Sequence, residues 1–222
     1  MDTMKTVFRT AVTHPLFAGM SEAAFTEAFS LLCGRVCAYA RGETLRAMGM
    51  PFPSFGLVLS GTVQVLTLDI DGAPMMMASV EQGESFGESL AYFGTKESPV
   101  LVLAAESAEV LWLSPEPMRR AAAGNAFALS LSERFTEVLA ARALYQNDRI
   151  QILSKAKIRD RLCTYLSQCE RRAGARSFTI PFDRTSLAVY LGVNRSALSR
   201  EMGKMQAEGL IRTVGKKIEI LR

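Results

Sequence analysis

The sequence is poor in the residues from which most catalytic and metal sites are built. It contains one histidine, His14, and four cysteines, so a histidine-rich metal site is excluded. It also lacks a Ser/His/Asp arrangement, a Walker loop and a glycine-rich nucleotide fingerprint. These absences predict that the chain is not an enzyme.

Long hydrophobic runs are absent as well. No apolar stretch reaches the ~20 residues that a transmembrane helix needs. Charges interrupt the short apolar runs of residues 1–17, which excludes a signal peptide there. The chain is therefore expected to be soluble and cytoplasmic, with no membrane partner.

Charge is distributed unevenly along the chain, although the net charge is only +4. Residues 1–148 carry 10 Lys and Arg against 16 Asp and Glu, a net charge of −6. Residues 149–222 carry 16 against 6, a net charge of +10. A cationic C-terminal part joined to an anionic remainder favours phosphate neutralisation by the C-terminal part.

Residues 183–212 of that basic part have the pattern of a helix-turn-helix. Asp183 is a good N-cap for a first helix with apolar residues at helical spacing. Gly192 supplies the tight turn, and Asn194 can cap a second helix. The inner faces of the two helices are expected to contain Leu187, Ala188, Leu191, Leu198, Met202 and Met205.

The outward face of the second helix is predicted to enter a DNA major groove, because its first turns can touch base edges. Arg195 and Arg200 are the strongest candidates for base or phosphate contacts. The predicted DNA-binding residues are Thr185, Asn194, Arg195, Ser196, Ser199, Arg200, Lys204 and Lys216. The alternative is an ordinary helical hairpin, in a sensor module whose C-terminal domain makes protein contacts.

Between residues 36 and 113 the sequence has the texture of many short strands. Asp71-Gly72 separates two apolar runs and predicts a hairpin, because such turns need positive φ. Regularly spaced glycines mark the other turns between the predicted strands. Short strands at this spacing predict a sandwich or barrel, which we interpret as a sensor or ligand-binding module. The predicted strands are 56–61, 62–70, 73–80, 98–106 and 108–114.

A helical connector follows the strands. Pro115 and Pro117 are predicted to open a short helix over Met118–Ala123, before a long helix from Asn125 to Leu153. Within it, apolar residues at 4-3 spacing predict the seam of a paired helix, and hence a homodimer. The alternative is packing against the chain's own barrel, for which Leu139 and Leu144 are candidates. The seam residues are Leu131, Phe135, Val138, Arg142, Tyr145, Arg149 and Ile152.

The predicted fold class is thus α+β, with three segments. Residues 1–114 form the sensor barrel, residues 115–153 the connector and dimerisation helix, and residues 154–222 the domain that contains the helix-turn-helix.

Motifs in this order resemble the CRP/FNR superfamily of bacterial transcription regulators. On the N-terminal side the resemblance rests on GETLRAMG (42–49), LVLSGTVQVLTLDIDG (57–72) and GESFGESLAYF (83–93). The last is similar to the family's phosphate-binding cassette. On the C-terminal side it rests on residues 185–211, with a wing hairpin at 212–221. The resemblance implies that the barrel is a jelly roll (a double-stranded β-helix) and that residues 154–222 form a winged helix-turn-helix DNA-binding domain. It also implies an inverted-repeat DNA operator, a homodimer, RNA polymerase as a further partner, and a small-molecule effector of unknown identity.

The effector pocket implied by this resemblance contains Phe86, Gly87, Glu88, Ser89 and Ser98. Members that bind cyclic AMP carry an Arg-Ser or Arg-Thr pair after the cassette, where this chain has Ser98-Pro99. Neither residue supplies the cation that a buried phosphate needs, and Lys96 lacks a bidentate fork. Cyclic AMP is therefore not expected as the ligand.

The FNR branch of the family carries an iron–sulfur cluster on closely placed cysteines. Here the pair Cys33 and Cys37 is expected to lie far from the pair Cys163 and Cys169, so a cluster is not expected. Reduced, buried structural cysteines are the favoured interpretation, with a redox switch through Cys33 and Cys37 as the alternative. Haem is not expected either, because His14 has the sequence context of a surface residue.

Overall fold

The computed structural model of the chain describes residues 2–68, 71–72 and 74–221. They form two compact units, Met1–Ala140 and Ala141–Arg222. The predicted connector, residues 115–153, is therefore shared between the two. None of the helices in the described residues is long and apolar enough to span a membrane.

In the described residues the first unit begins with two helices, followed by eight strands. A short helix lies between the sixth and seventh strands. The helices are α1 (Asp2–Ala11), α2 (Glu22–Leu31) and α3 (Glu88–Phe93). The strands are β1 (Arg35–Tyr39), β2 (Thr44–Arg46), β3 (Phe55–Ser60), β4 (Val63–Leu68), β5 (Pro74–Val80), β6 (Ser85–Phe86), β7 (Leu101–Ala104) and β8 (Ala108–Leu113).

The eight strands pair antiparallel in two four-stranded sheets, ordered β1-β8-β3-β6 and β2-β7-β4-β5. The predicted hairpin joins β4 to β5, and Gly72 has the positive φ, 78°, that this turn needs. Asp69, Ile70 and Ala73, which belong to the predicted strands, lie outside the described residues. The predicted α+β fold with an N-terminal barrel is confirmed.

The connector contains α4 (Pro115–Ala121) and α5 (Ala126–Leu153). The first of these begins three residues earlier than predicted, because a proline lacks only an N–H that the first helical turn leaves unbonded anyway. Asn125 caps the long helix, its side-chain oxygen accepting a hydrogen bond from the Ala128 amide at 3.0 Å.

The predicted partner-facing seam on α5 is wrong at Leu131 and Phe135. Both side chains are 1% exposed because they pack into the core of the chain's own barrel, where the Phe135 ring lies 5.3 Å from that of Phe55. Val138 and Leu139 pack against the same core. The alternative of packing on the barrel thus holds for Leu139 but not for Leu144, which is exposed.

The last turns of α5 belong to the second unit. Ile152 is fully buried in its core, and the Tyr145 ring lies 6.0 Å from that of Tyr190. Of the other predicted seam residues, Arg142 is half-buried and Arg149 lies 5.6 Å over the Tyr190 ring. The spacing therefore predicted buried positions correctly at Leu131, Phe135 and Ile152, but not at Tyr145 and Arg149, which are exposed.

The rest of the second unit consists of three helices and a small antiparallel sheet. The helices are α6 (Ile158–Ala173), α7 (Arg184–Leu191) and α8 (Arg195–Ala207). The strands β9 (Ser177–Thr179), β10 (Ile211–Val214) and β11 (Lys217–Ile220) pair in the order β10-β11-β9. The predicted wing hairpin is present, and β9 is a strand that the sequence analysis missed.

Candidate nucleic-acid interface

The pair of α7 and α8 is built as the sequence predicts. The Asp183 carboxylate accepts from the Ser186 amide at 2.7 Å, and this hydrogen bond holds the pKa of Asp183 below its usual value. Gly192 ends α7 in the left-handed conformation, with φ at 62°. Asn194 caps α8 by accepting from the Ser196 amide at 2.9 Å. Each cap satisfies an amide that the helix itself leaves unbonded.

The inner face of α8 is held from two directions. Its apolar residues, with Leu198 fully buried, pack into the core of the second unit. From α6, Arg159 donates to both carboxylate oxygens of Glu208 at 2.7 and 2.8 Å and to Glu201 at 2.5 Å. The pKa of Glu208 is lowered by this guanidinium. The carboxylates of Glu201 on α8 and of Glu208 at its C-cap are therefore neutralised by Arg159. The sequence analysis missed Arg159, because a salt bridge between separate helices leaves no local pattern.

The exposed face of α8 carries free cations. All eight predicted DNA-binding residues are exposed, and six of them lie on α8 or at its N-cap. Arg195 and Arg200 make no hydrogen bond or ion pair with any residue that the structure describes, whereas Lys204 lies on the side of Glu208, whose pKa its charge helps to lower. Side chains without internal contacts do not stabilise the fold, and they are free to contact phosphates or base edges.

The remaining predicted contacts differ in how free they are. The Ser196 hydroxyl donates to Asn194 Oδ1 at 2.7 Å, so it offers only acceptor lone pairs outward. On the wing, Lys216 Nζ donates to the Pro181 carbonyl at 2.9 Å, which leaves two of its three N–H groups. The Lys216 ammonium is thereby held beside the start of α7.

Gly203 lies in the middle of α8, on the same exposed face as Ser199 and Arg200. A Cβ atom added there would meet no atom of the chain within 4 Å. The surface of the helix is therefore shallow at this point, for no reason of internal packing.

Four of the predicted effector-pocket residues lie on or beside β6 and α3, and the side chains of Glu88 and Ser98 are hydrogen-bonded within the chain. The buried Ser98 hydroxyl donates to the Val100 carbonyl at 2.8 Å and accepts from its amide at 3.2 Å. Phe86 and Glu88 are buried and Ser89 is exposed. At Gly87, with φ at 80°, a Cβ would collide with the ring of Phe52.

The expectation that His14 is a surface residue is wrong, because its side chain is 5% exposed. Its Nε2 lies 2.8 Å from Ser85 Oγ, and Ser85 donates to Glu88 Oε1 at 2.5 Å. Because the Ser85 hydrogen goes to Glu88, Nε2 donates, and Nδ1 accepts from the Leu16 amide at 3.3 Å. Both ring nitrogens are thus engaged in a network that ties the segment after α1 to the start of α3.

We expect His14→Ala to lower the free energy of unfolding by about 1–3 kcal/mol, because it removes a buried hydrogen-bond partner of Ser85. Urea denaturation measures the loss. The neighbouring Thr13→Ala is the matched control, since Thr13 is exposed and bonds only within its own turn, and it should change stability by less than about 0.5 kcal/mol. Equal effects of the two substitutions would show that the network contributes nothing.

The four cysteines are free thiols. The expectation of buried structural cysteines is wrong for Cys33 and Cys163, which are exposed, whereas Cys37 and Cys169 are half-buried. Burial raises the pKa of the Cys169 thiol. Within the described residues no three His, Cys, Asp or Glu side chains are grouped to hold a metal ion. The redox switch through Cys33 and Cys37 stays a prediction.

Both units match known protein families. Residues 36–125 match the model of the cyclic nucleotide-binding domain, and residues 160–222 match that of the Crp-like helix-turn-helix domain. The chain is 25% identical over 186 residues to the transcriptional activator protein FnrA of Stutzerimonas stutzeri, covering 82% of this chain and 74% of that protein. It is 23% identical over 185 residues to the fumarate and nitrate reduction regulatory protein of Escherichia coli K12, covering 81% of this chain and 72% of that protein.

Solved structures show the same fold. The catabolite activator protein of Thermus thermophilus matches with a TM-score of 0.53 at 24% identity, over 93% of each chain. The c-di-GMP responsive global regulator CLP of Xanthomonas campestris matches with a TM-score of 0.54 at 20% identity, over 90% of this chain and 99% of that one.

Proposed function

Since the chain belongs to the CRP/FNR superfamily of transcription regulators, we propose that it acts as a homodimer that binds an inverted-repeat DNA operator. Two copies of α8 then lie in successive major grooves, ~34 Å apart. An effector other than cyclic AMP shifts the dimer between conformations that fit the operator and conformations that do not.

The observation that carries the DNA proposal is the exposed face of α8. It presents Arg195 and Arg200 without internal partners, while the carboxylates of Glu201 and of the C-cap Glu208 are bound by Arg159. This arrangement keeps the local charge of the face positive. The logarithm of the binding constant should therefore fall linearly with the logarithm of the salt concentration. The expected slope is about −0.9 for each phosphate contacted.

Measuring the affinity for an operator duplex across a salt series tests this proposal. A steep loss of binding with added salt supports it. Absence of duplex binding at every salt concentration would instead favour the sensor module whose C-terminal domain contacts protein.

The proposal of a homodimer rests on a different face of α5 from the predicted seam. Positions alternating by four and three residues along it are all exposed, which is the spacing of a paired helix. Ala140 and Ala143 at its centre are small enough for close approach of two helices, and Ile150 is 63% exposed. The positions are Leu129, Glu133, Thr136, Ala140, Ala143, Asn147 and Ile150.

Cyclic AMP is expected to leave the protein unchanged. Ser98 stands where relatives place the phosphate-binding arginine. Its hydroxyl is hydrogen-bonded to both the carbonyl and the amide of Val100. A ligand that binds stabilises a protein by about 2.7 kcal/mol at 100 times its dissociation constant. Because we expect no binding, millimolar cyclic AMP should give no shift of the melting temperature. A protein known to bind cyclic AMP, titrated in parallel, checks the assay. A saturable shift would contradict the proposal.

Ser196→Glu is expected to change the preferred half-site at one base pair. The wild-type hydroxyl offers only an acceptor at short reach, whereas a glutamate accepts from a cytosine amino group at longer reach. Selection of binding sites from random duplexes measures the change. Ala207→Glu adds the same charge in the last turn of α8, away from the base edges, and should weaken binding without changing the half-site. Identical half-sites for wild type and Ser196→Glu would remove Ser196 from the specificity determinants.

A further inference from the structure

Arg46 of β2 is an unusual residue for the inside of a barrel. Its guanidinium carbon lies 4.3 Å from the centre of the Trp112 ring, and Trp112 belongs to β8 of the opposite sheet. Since Trp112 is 3% exposed within the barrel core, the arginine side chain spans the space between the two sheets. The indole Nε1 in turn donates to the Tyr39 hydroxyl at 2.9 Å.

No carboxylate compensates this charge. Among the residues that the structure describes, Arg46 makes no hydrogen bond and no ion pair, and its Nε is buried without a partner. The groups that act on it electrostatically are Tyr39, Arg35 and Cys37. Burial lowers the pKa of the Arg46 guanidinium, and the positive charge of Arg35 acts in the same direction.

Stacking on an indole stabilises a cation only in part. Arginine remains charged under these conditions, and its buried Nε–H lacks the hydrogen-bond acceptor that a desolvated donor needs. A guanidinium presents parallel N–H donors that match the two oxygens of a carboxylate or phosphate. The chain provides the cation and the aromatic wall of such a site, but the described residues do not provide the anion.

We propose that Arg46, with Trp112 beneath it and Arg35 beside it, binds a small carboxylate or phosphate anion inside the barrel. This site differs from the predicted pocket around Glu88 and Ser98. It is connected to that region through Phe86, whose ring packs edge-on against Trp112 at 5.4 Å and which precedes the start of α3. Only the description of this anion as the effector rests on the proposed function; the site itself does not.

Trp112 is the single tryptophan of the chain, so its fluorescence reports on this site directly. We would titrate the full-length protein with sodium phosphate, sodium acetate and sodium succinate, against sodium chloride at matched ionic strength. A saturable change in emission is expected with phosphate or with the carboxylates, and not with chloride. Which of the two classes saturates assigns the ligand chemistry.

Arg46→Met keeps most of the stem but removes the charge, and it should abolish the saturable change. Arg46→Lys should weaken binding by about 10- to 100-fold, because it lacks the fork. Arg41→Met, at an exposed position before β2, should bind like wild type. Thermal melts of each variant establish that it is folded, and anion-dependent melting shifts provide a second readout.

The proposal is overturned if none of the three anions gives a saturable change in wild type, or if the change persists in folded Arg46→Met. Duplex binding is measured separately on the same preparations. If wild type binds the operator but shows no anion response, the anion site alone is contradicted. If it shows the anion response but does not bind the operator, the proposed function alone is contradicted.

Discussion

Arg200→Ala is expected to weaken specific operator binding strongly while the protein stays fully folded. A bidentate contact from arginine to guanine contributes about 1–3 kcal/mol. Because a homodimer loses this contact in both half-sites, affinity should fall between about 30-fold and about 20,000-fold. Arg200 is exposed and has no partner in the described part of the chain, so the melting temperature should not change. Fluorescence anisotropy with a labelled operator duplex measures the loss.

Arg171→Ala is the matched control for this experiment. Arg171 is an exposed arginine in the last turn of α6, so its replacement removes the same charge from the same unit without touching α8. Only a small, salt-dependent loss of affinity is expected from it. If the two variants bound equally well, Arg200 would contribute as a general charge and not as a reader of sequence.

Ala143→Glu is expected to convert the homodimer to monomers. On the proposed dimer face the two Ala143 side chains approach across the symmetry axis, where two carboxylates would repel each other. Juxtaposed like charges cost several kcal/mol, so the dimer dissociation constant should rise more than about 100-fold. Sedimentation velocity over a concentration series measures this constant, and operator affinity should fall with it.

Ala141→Glu places the same charge two residues away, on the other side of α5. Because successive helical residues turn by about 100°, residue 141 points about 160° away from residue 143. The control variant should therefore remain dimeric. Monomers from Ala141→Glu with an intact Ala143→Glu dimer would assign the interface to the opposite face.

The DNA-binding unit could be predicted nearly completely from sequence, because its determinants are local. Asp183, Gly192 and Asn194 act within three or four residues of themselves, and the inner face of α8 follows from helical periodicity. The short strands and the turn at Gly72 are local in the same way. The sequence analysis missed strand β9 and Arg159, whose partners Glu201 and Glu208 are about 40 to 50 residues away in the chain.

The errors concern contacts that cross long stretches of sequence. His14 bonds to Ser85 across 71 residues, and nothing near His14 in the sequence indicates that partner. Periodicity placed Leu131 and Phe135 on one buried face correctly, but a barrel and a second helix require the same pattern. Arg46 gave no sequence signal at all, since its environment comes from the opposite sheet.

At Gly203 the residue that would make the free protein most stable differs from the residue that gives the closest approach to DNA. An interior glycine makes a helix less stable than alanine does by about 0.8–1 kcal/mol, and no internal neighbour demands one at this position. The missing side chain lets a groove approach the helix more closely than a methyl group would allow. Gly203→Ala is therefore expected to raise the melting temperature and, if a groove does come that close, to weaken operator binding.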